Sequence, residues 1–314
     1  MRTGKRQSLG LVLAVISAAA FGTSGSFAKS LLATGWTPLA VVTFRVCGAA
    51  VVMLPAASVA VRGRWRLLRR NLGVVLAYGT IAVAGCQLAF FYAVRSLSVG
   101  VALLLEYCGI VLVVIWVWLR HGRRPSRLTS VGMVAAVVGL LLVLDVLGGL
   151  HVSLGGVAWG LLAAVGLATF YIVSAHEHEG SLPPIALAGF GLAAGAVSLL
   201  MAGVARAAPF RASRADVRLA GTHVPWWAAV LELALIAAAF AYAVGIIAAR
   251  MVGPSLASFA GLTEVLFAVG FAWALLGEAP GGAQALGGVL VLVGVLAVRL
   301  GEPPEDFAVA QPIP

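Results

Sequence analysis

The sequence predicts an all-α integral membrane protein with ten transmembrane helices arranged as two inverted five-helix repeats. Three observations support this prediction: the composition, the length of the apolar runs and an internal repeat. Of the 314 residues, 62% are hydrophobic and only 10% are charged, and the mean hydropathy is +1.06. So few polar residues cannot coat a soluble globule of this length. The lipid bilayer is therefore the expected solvent.

Ten apolar runs are separated by charges, prolines and glycine clusters, and most approach or exceed the roughly 20 residues that a helix needs to cross the hydrocarbon core. The runs cover residues 9–29, 38–61, 72–93, 96–119, 128–147, 153–174, 184–205, 226–249, 255–277 and 283–300. They are continuous and rich in Leu, Ala, Val and Gly, whereas the strands of a membrane barrel alternate apolar with polar residues. An all-helical chain is therefore expected, and its 38 glycines suit close packing between membrane helices.

Basic residues concentrate in alternate loops of the first half of the chain. They are Arg2, Lys5 and Arg6 at the start, Arg62, Arg64, Arg66, Arg69 and Arg70 after the second run, and Arg120, Arg123, Arg124 and Arg127 after the fourth. Such loops are retained in the cytoplasm, which predicts a multi-pass protein of the bacterial inner membrane with both termini cytoplasmic. The loop between the seventh and eighth runs disagrees, since it carries four arginines on the predicted outer side. The first half decides the prediction because early helices usually dominate orientation. The net charge of +10 thus reflects topology and predicts no nucleic-acid partner.

A constant offset of 155 residues relates the two halves of the chain. It pairs Ala93 with Ala248, Arg95 with Arg250, Trp118 with Trp273, Gly132 with Gly287 and Gly139 with Gly294. The predicted domains are a first five-helix repeat at 9–147, a second at 153–300 and a disordered cytoplasmic tail at 301–314. Five spans per copy is an odd number, so the copies must have opposite orientations. Inverted repeats suit alternating access around a site near the membrane midplane.

Several motifs resemble a known family. They are Thr43-Phe44-Arg45, the run from Tyr92 to Tyr107, Ala249-Arg250-Met251-Val252-Gly253-Pro254-Ser255, Glu264 and Leu276-Gly277-Glu278. Together they resemble the EamA-type members of the drug/metabolite transporter (DMT) superfamily, ten-helix proteins made of two five-helix repeats. Glu106 followed by Gly109 is similar to the branch of threonine and homoserine exporters, although Ile110 stands where that branch often has Pro. The resemblance implies a secondary transporter that exports amino acids or other small metabolites.

Two acidic residues are predicted near the membrane midplane. Glu106 lies about ten residues into its apolar run and Glu264 about nine. An ionisable side chain at this depth is costly unless it is paired or hydrated. In the repeat register the two acids differ by three residues, which places them on similar helix faces. Two acids beside one cavity would let one of them load and release a proton, or bind a substrate ammonium. The alternative is that each acid is hydrogen-bonded and only holds helices together.

Other polar residues complete the candidate site. Arg45 and Glu232 each lie about seven residues from the predicted outer end of a span, so an ion pair forming an outer gate is possible; alternatively, Arg45 extends outward to the membrane edge. Ser24 belongs to a small polar run that could line a cavity or simply form a helix interface. The aromatic and amide groups of Gln87, Tyr92 and Tyr107 are candidate substrate contacts, with ordinary packing as the alternative.

No chemical motif of an enzyme is present. The run His176-Glu177-His178-Glu179 lacks the i, i+4 spacing of a helical metal site, so no metal is predicted. There is no phosphate-binding loop or nucleophile elbow, and hence no expected cofactor. The expected partners are a small-molecule substrate, the lipid bilayer and protons, in a monomer or a homodimer. The rival hypothesis is a lipid-handling protein or membrane scaffold without solute flux.

Overall fold

The computed structural model describes residues 2–121, 126–143, 153–175, 180–252 and 263–301. The first half forms α1 (Arg2–Ala33), α2 (Pro38–Ala60), α3 (Trp65–Arg70), α4 (Leu72–Ala77), the π-helix π1 (Tyr78–Gly85), α5 (Cys86–Val94), α6 (Val99–Tyr107), α7 (Gly109–His121) and α8 (Arg127–Val143). The second half forms α9 (Leu154–Ala175), α10 (Pro184–Val204), β1 (Val217–Leu219), β2 (Thr222–Val224), α11 (Trp226–Leu231), the π-helix π2 (Glu232–Phe240), α12 (Ala241–Val252), α13 (Thr263–Leu276) and α14 (Gly282–Gly301).

Five helical stretches are long and apolar enough to cross a membrane. They are Ser8–Ala33, Pro38–Ala60, Leu72–Val94, Pro184–Val204 and Trp226–Gly245. Five shorter apolar helices lie at Val99–Leu112, Arg127–Leu142, Leu154–Phe170, Thr263–Leu276 and Gly282–Val298. The predicted class, an α-helical membrane protein, is thus confirmed, while the count of ten spans stays a prediction. Beyond Gly301, the predicted disordered tail lies outside the described residues.

Large apolar side chains on the helix surfaces point to a lipid environment. Val51 is 71% exposed, Leu119 is 78% exposed and Leu154 is 84% exposed. A soluble protein rarely shows so many large exposed hydrophobic side chains, because burying apolar surface away from water drives folding. In lipid these side chains are already in an apolar solvent, so the helices need no further cover on that face.

A short β-hairpin interrupts the otherwise helical chain. β1 and β2 pair in antiparallel register, with Val217 opposite Val224 and Leu219 opposite Thr222. The turn residues Ala220 and Gly221 have φ angles of 50° and 76°, the conformation that two-residue hairpin turns require. The amide of Ala220 donates to the carbonyl of Leu275 at 2.8 Å, which fixes the hairpin to the end of α13.

The loop that carries the hairpin is also tied to the connection between α1 and α2. The indole nitrogen of Trp36 donates to the carbonyl of Ser213 at 2.8 Å, and the amide of Thr37 donates to the carbonyl of Arg211 at 3.1 Å. Trp36 is only 4% exposed and packs on the ring of Trp226 at a centroid distance of 5.8 Å. The long loop therefore forms an ordered cap over this end of the helices.

The two π-helices occupy matching positions in the two halves. π1 begins at Tyr78 and π2 at Glu232, which differ by 154 residues, close to the sequence offset of 155. A π-helix closes hydrogen bonds over five residues instead of four, so it widens the helix and frees a backbone carbonyl. Such segments recur at functional sites. Both halves thus carry the same local irregularity in the third of their predicted spans.

The chain divides into two compact units, each built from both halves of the sequence. The first unit combines Met1–Ala84 with Leu182–Glu278, and the second combines Gly85–Ser181 with Ala279–Pro314. The predicted boundaries 9–147 and 153–300 describe the sequence repeat, whereas these units describe packing. The two divisions differ because helices from opposite halves pack against each other within each unit.

In the second unit, α8 and α14 pack through glycines that the repeat pairs with one another. An added Cβ on Gly132 would lie 2.6 Å from the carbonyl oxygen of Gly294, and one on Gly139 would lie 2.7 Å from that of Gly287. The repeat equates Gly132 with Gly287 and Gly139 with Gly294, so the two contacts are reciprocal. Reciprocal contacts are what a local two-fold axis between antiparallel, equivalent helices produces. Glycine allows the backbones to approach this closely.

Candidate functional site

A polar cluster lies inside the first unit, where α1, α2 and π2 pack together. Ser24 comes from the small polar run of α1, Arg45 from the buried face of α2, and Glu232 is the first residue of π2. Arg45 lies seven residues after Pro38, the first residue of α2, which is about 10 Å along the helix axis. The cluster is therefore well inside the apolar part of the unit.

Arg45 is buried, with only 3% of its surface exposed. One terminal nitrogen of its guanidinium donates to the hydroxyl oxygen of Ser24, and the other donates to the carbonyl of Ala237 in π2 at 3.0 Å. The expectation that Arg45 extends outward to the membrane edge is therefore wrong. The physical reason is that the small side chain of Ser24 and the π-helical backbone supply acceptors inside the unit.

Glu232 faces the same cluster from π2. Its Oε1 atom accepts a hydrogen bond from the hydroxyl of Thr23, and the positive charge of Arg45 acts on its carboxylate. Its Oε2 atom is buried and has no hydrogen-bond partner among the residues that the structure describes. The structure thus brings together three predicted residues, Ser24, Arg45 and Glu232. It also adds Thr23, which belongs to the same polar run as Ser24 but is not among the predicted site residues.

Glu106 lies in the second unit and is 8% exposed. The thiol of Cys86 lies 3.3 Å from its Oε1 atom and 3.4 Å from the carbonyl of Ala163. A thiol carries one proton, so it donates to one of these oxygens at a time. Cys86, predicted as a packing residue, packs against Gly166, where an added Cβ would lie 2.5 Å from the Cys86 Cβ. This close approach of α5 and α9 places the thiol beside the carboxylate.

The helical hydrogen bonding is interrupted two residues after Glu106. α6 ends at Tyr107 and α7 begins at Gly109, with Cys108 between them in a turn whose amide donates to the carbonyl of Leu105 at 3.1 Å. An added Cβ on Gly109 would lie 3.2 Å from the amide nitrogen of Ala168 in α9. A break in a membrane helix is tolerated where the freed groups are buried in protein or line a cavity. The predicted Glu106–Gly109 pattern thus coincides with this break.

The aromatic and amide candidates lie on α5 and α6 of the second unit. Tyr107 is 6% exposed, and Gln87 is half-buried. The ring of Tyr92 stacks on Trp159 at a centroid distance of 4.5 Å and an interplanar angle of 18°. This stacking gives Tyr92 a packing role within the unit. Its predicted role in substrate contact stays a proposal.

Glu264 lies in the first unit, in the first turn of α13. A Cβ added to Gly22 of α1 would lie 3.2 Å from the backbone carbonyl oxygen of Glu264 and 2.9 Å from the Cβ of Phe267. Gly22 therefore allows α1 and α13 to pack closely. An acid in the first turn is also favoured by the positive end of the helix dipole. The ten residues before Thr263 lie outside the described residues, so the predicted midplane position of Glu264 stays a prediction.

An ion pair missed at the sequence level joins Lys29 of α1 to Glu278, which follows α13. Both side chains are partly exposed, at 27% and 22%. In the sequence, each of these two residues is a charged residue at the end of an apolar run. Their pairing needs the packing of α1 against α13, which the sequence does not reveal.

No group of three or more potential metal ligands occurs among the described residues. The run from His176 to Glu179 lies outside the described part of the chain. The three cysteines, Cys47, Cys86 and Cys108, are free thiols, in keeping with their predicted role as packing residues.

This fold and these clusters define the class of the protein. It is a polytopic α-helical membrane protein with ionisable side chains buried among its packed helices. The sequence model of the EamA-like transporter family matches the chain twice, at residues 8–145 and 154–300. The chain therefore belongs to the EamA-like transporter family of the DMT superfamily, whose members are membrane transporters rather than enzymes.

The chain is similar in fold to a solved structure that is titled only "Crystal structure of protein". The sequence identity is 19%, the TM-score is 0.61, and the alignment covers 93% of this chain and 96% of that chain. At this identity the likeness concerns the fold alone. No curated protein matches the sequence.

Proposed function

We propose that the protein is a secondary transporter that exports small polar metabolites, such as amino acids, across the bacterial inner membrane. In this proposal the two halves are inverted repeats that exchange inward-open and outward-open states by alternating access. Both termini are cytoplasmic, and the hairpin loop between α10 and α11 is on the outer side. Family membership supports the general class, and the reciprocal glycine contacts of α8 and α14 support the inverted arrangement of the halves.

The observation that carries the proposal is the burial of Glu106 beside a break in its own helix. The charged form of a carboxyl group in such a position costs a few kcal/mol or more unless it is paired or hydrated. The Cys86 thiol lies 3.3 Å from the Oε1 atom of Glu106. A carboxyl group whose charged form is disfavoured by burial can take up and release a proton during a transport cycle. We therefore assign proton coupling to Glu106, with Glu264 as the second acidic residue of the pathway.

The remaining predicted residues take supporting roles in this proposal. Gln87, Tyr92, Tyr107 and Ser24 are the substrate contacts. Arg45 and Glu232 act as the outer gate. Arg45 is buried about two helical turns from the start of α2, which supports a role inside the unit rather than at the membrane surface.

The test is transport by the Glu106→Gln variant in proteoliposomes with and without a pH gradient. Glutamine keeps the shape of the side chain and removes its titration. We expect the variant to fold and insert normally but to lose the dependence of flux on the pH gradient. Glu278→Gln is the matched control, because it removes a partly exposed acid and should leave that dependence intact. Unchanged pH dependence in Glu106→Gln would remove the coupling role.

A further inference from the structure

The connection between α10 and α11, residues 205–225, forms the ordered cap and is rich in arginine. It carries four exposed arginines, Arg206, Arg211, Arg214 and Arg218, and its one acidic residue is Asp216. Within the part of the chain that the structure describes, no ion pair involves any of these five residues. On the predicted outer side, the arginines do not fit the rule that retains basic loops in the cytoplasm. Topology therefore does not explain them.

Two of the arginines are held beside the connection between α1 and α2. The amide of Arg211 donates to the hydroxyl oxygen of Thr37 at 3.0 Å. The carbonyl of Ser213, the residue before Arg214, accepts a hydrogen bond from the indole of Trp36 at 2.8 Å. This connection runs only over residues 34–37, between two helices that are long and apolar enough to cross a membrane. The backbones of Arg211 and Arg214 therefore lie where these helices leave the membrane.

The alternation of β1 directs Arg218 away from the helices. Its neighbours Val217 and Leu219 are buried, whereas Arg218 is exposed, and successive side chains of a strand point to opposite faces. The hydrogen bond from Ala220 to the carbonyl of Leu275 ties the same hairpin to the end of α13. Arg218 is thus presented to the surroundings beside the end of another membrane helix.

Arg206 adopts a backbone conformation that normally belongs to glycine. Its φ angle is 54°, and it follows Ala205, the C-cap of α10. The amide of Arg206 donates to the carbonyl of Gly203 at 3.1 Å, and that of Ala207 donates to Ala202 at 3.0 Å. These two bonds form a Schellman motif, whose left-handed residue is usually Gly because it has no Cβ. Strained residues of this kind cluster at functional sites and ligand clamps, so the strain points to a function for the Arg206 side chain.

Exposed apolar side chains accompany the arginines. Val204, the last residue of α10, is 86% exposed, and Phe210 and Trp227 are also exposed. The ring of Phe210 lies over the end of α10, since a Cβ added to Gly203 would be 3.2 Å from it. Apolar and aromatic side chains beside cationic ones are typical of the boundary between hydrocarbon and lipid headgroups. This environment favours a lipid as the partner of the arginines.

From these observations we infer that the cap binds the phosphate groups of anionic lipids in the surrounding bilayer, through Arg206, Arg211, Arg214 and Arg218. A guanidinium group donates paired hydrogen bonds to phosphate oxygens. Attraction of one basic residue to an anionic membrane surface corresponds to a preference of about fivefold. This lipid site is additional to the proposed transport function and does not depend on the transported substrate.

The test measures which lipids lie next to the cap in bilayers of phosphatidylcholine. A fluorophore is attached through Ala212→Cys, at an exposed position of the cap. It is quenched by phosphatidylglycerol with a spin label on the acyl chain or, in matched vesicles, by phosphatidylcholine with the same label at the same mole fraction. The wild-type chain, treated with the same reagent, gives the background from the three native thiols. We expect phosphatidylglycerol to be preferred beside the cap by at least about fivefold.

Replacing the cap arginines should abolish this preference. The variant is Arg206→Gln/Arg211→Gln/Arg214→Gln/Arg218→Gln. The matched control, Arg62→Gln/Arg64→Gln/Arg66→Gln/Arg69→Gln, removes as many exposed charges. Its substitutions follow the other end of α2, whose 23 residues separate the two sets by about 35 Å along the helix axis. The control should therefore keep the preference at the cap.

Arg206→Gly separates lipid binding from folding. Glycine relieves the left-handed backbone, so this variant should unfold at the same temperature as the wild type or a higher one. Its preference for phosphatidylglycerol should nevertheless fall to about half or less of the wild-type value, because one guanidinium group is lost. Thermal unfolding of each variant in detergent establishes that it is folded.

The inference is overturned if the cap shows no preference for phosphatidylglycerol, or if the fourfold cap variant or Arg206→Gly keeps the full preference. Inorganic phosphate, compared with sodium chloride at equal ionic strength, should leave the preference intact. A loss caused by phosphate alone would assign the arginines to a soluble anion and would also overturn the inference. The proposed transport function would stand after any of these results.

Discussion

Arg45→Met is the substitution that should destabilise the first unit most clearly. The variant keeps much of the side-chain volume but removes the donors to Ser24 and to the Ala237 carbonyl. It also removes the positive charge that acts on the partly buried carboxylate of Glu232. Leaving one charge of an interacting pair uncompensated inside a protein typically costs about 3–5 kcal/mol. By the usual relation between stability and melting temperature, the variant should melt roughly 6 °C or more below the wild type.

The assay is thermal unfolding of the purified protein in detergent, followed by loss of the monodisperse peak. The double variant Arg45→Met/Glu232→Leu supplies the critical comparison, because replacing both charges by apolar side chains is often neutral. We expect the double variant to recover most of the lost stability. Arg62→Met, in an exposed position, is the control and should change stability by less than about 0.5 kcal/mol. A single variant as stable as the wild type, or a double variant with additive losses, would refute the reasoning.

Three further predictions concern packing, topology and the partly exposed ion pair. Gly139→Ala should lower the stability measured by thermal unfolding, because the added Cβ would lie 2.7 Å from a backbone oxygen. The control is Gly73→Ala, whose added Cβ meets nothing within 4 Å; it should be neutral or stabilise the protein by up to about 1 kcal/mol. A cysteine placed at Arg64 should react with an impermeant thiol reagent only from the cytoplasmic side and one at Arg214 only from the outside; the reverse pattern would overturn the orientation. Lys29→Gln should cost less than about 1 kcal/mol, since its ion pair is partly exposed, and a larger loss would show that the pair is effectively buried.

Much of the helical architecture follows from hydropathy alone. The second span is expected to start at residue 38, which is the first residue of α2, and the expected span at 184–205 differs from α10 by one residue. Pro38 and Pro184 reveal these helix starts in the sequence, because proline is favoured in the first turn of a helix. The hairpin at Val217–Val224 was missed because windows of about 20 residues average over so short an element. Its signal was present in the alternation of Val217 and Leu219 before an Ala-Gly turn.

The candidate site was only partly predictable. The polarity of Ser24, Arg45 and Glu232 in apolar surroundings singled them out, but their association depends on packing between α1, α2 and π2. The π-helices have the same composition as ordinary membrane helices, so no sequence signal marked the carbonyl of Ala237 as an acceptor. Ser26 looked no different from its neighbours in the sequence. It is distinguished by its complete burial and by the lack of a hydrogen-bond partner for its hydroxyl among the described residues.

The measurement that tests the central claim most directly is counterflow in proteoliposomes, with the internal solutes read by mass spectrometry. Vesicles containing the protein are loaded with a mixture of amino acids and other metabolites, and matched vesicles without protein provide the baseline. The account predicts selective, protein-dependent loss of a small set of polar compounds that changes with the pH gradient. Folded protein that releases no solute faster than the empty vesicles would contradict it.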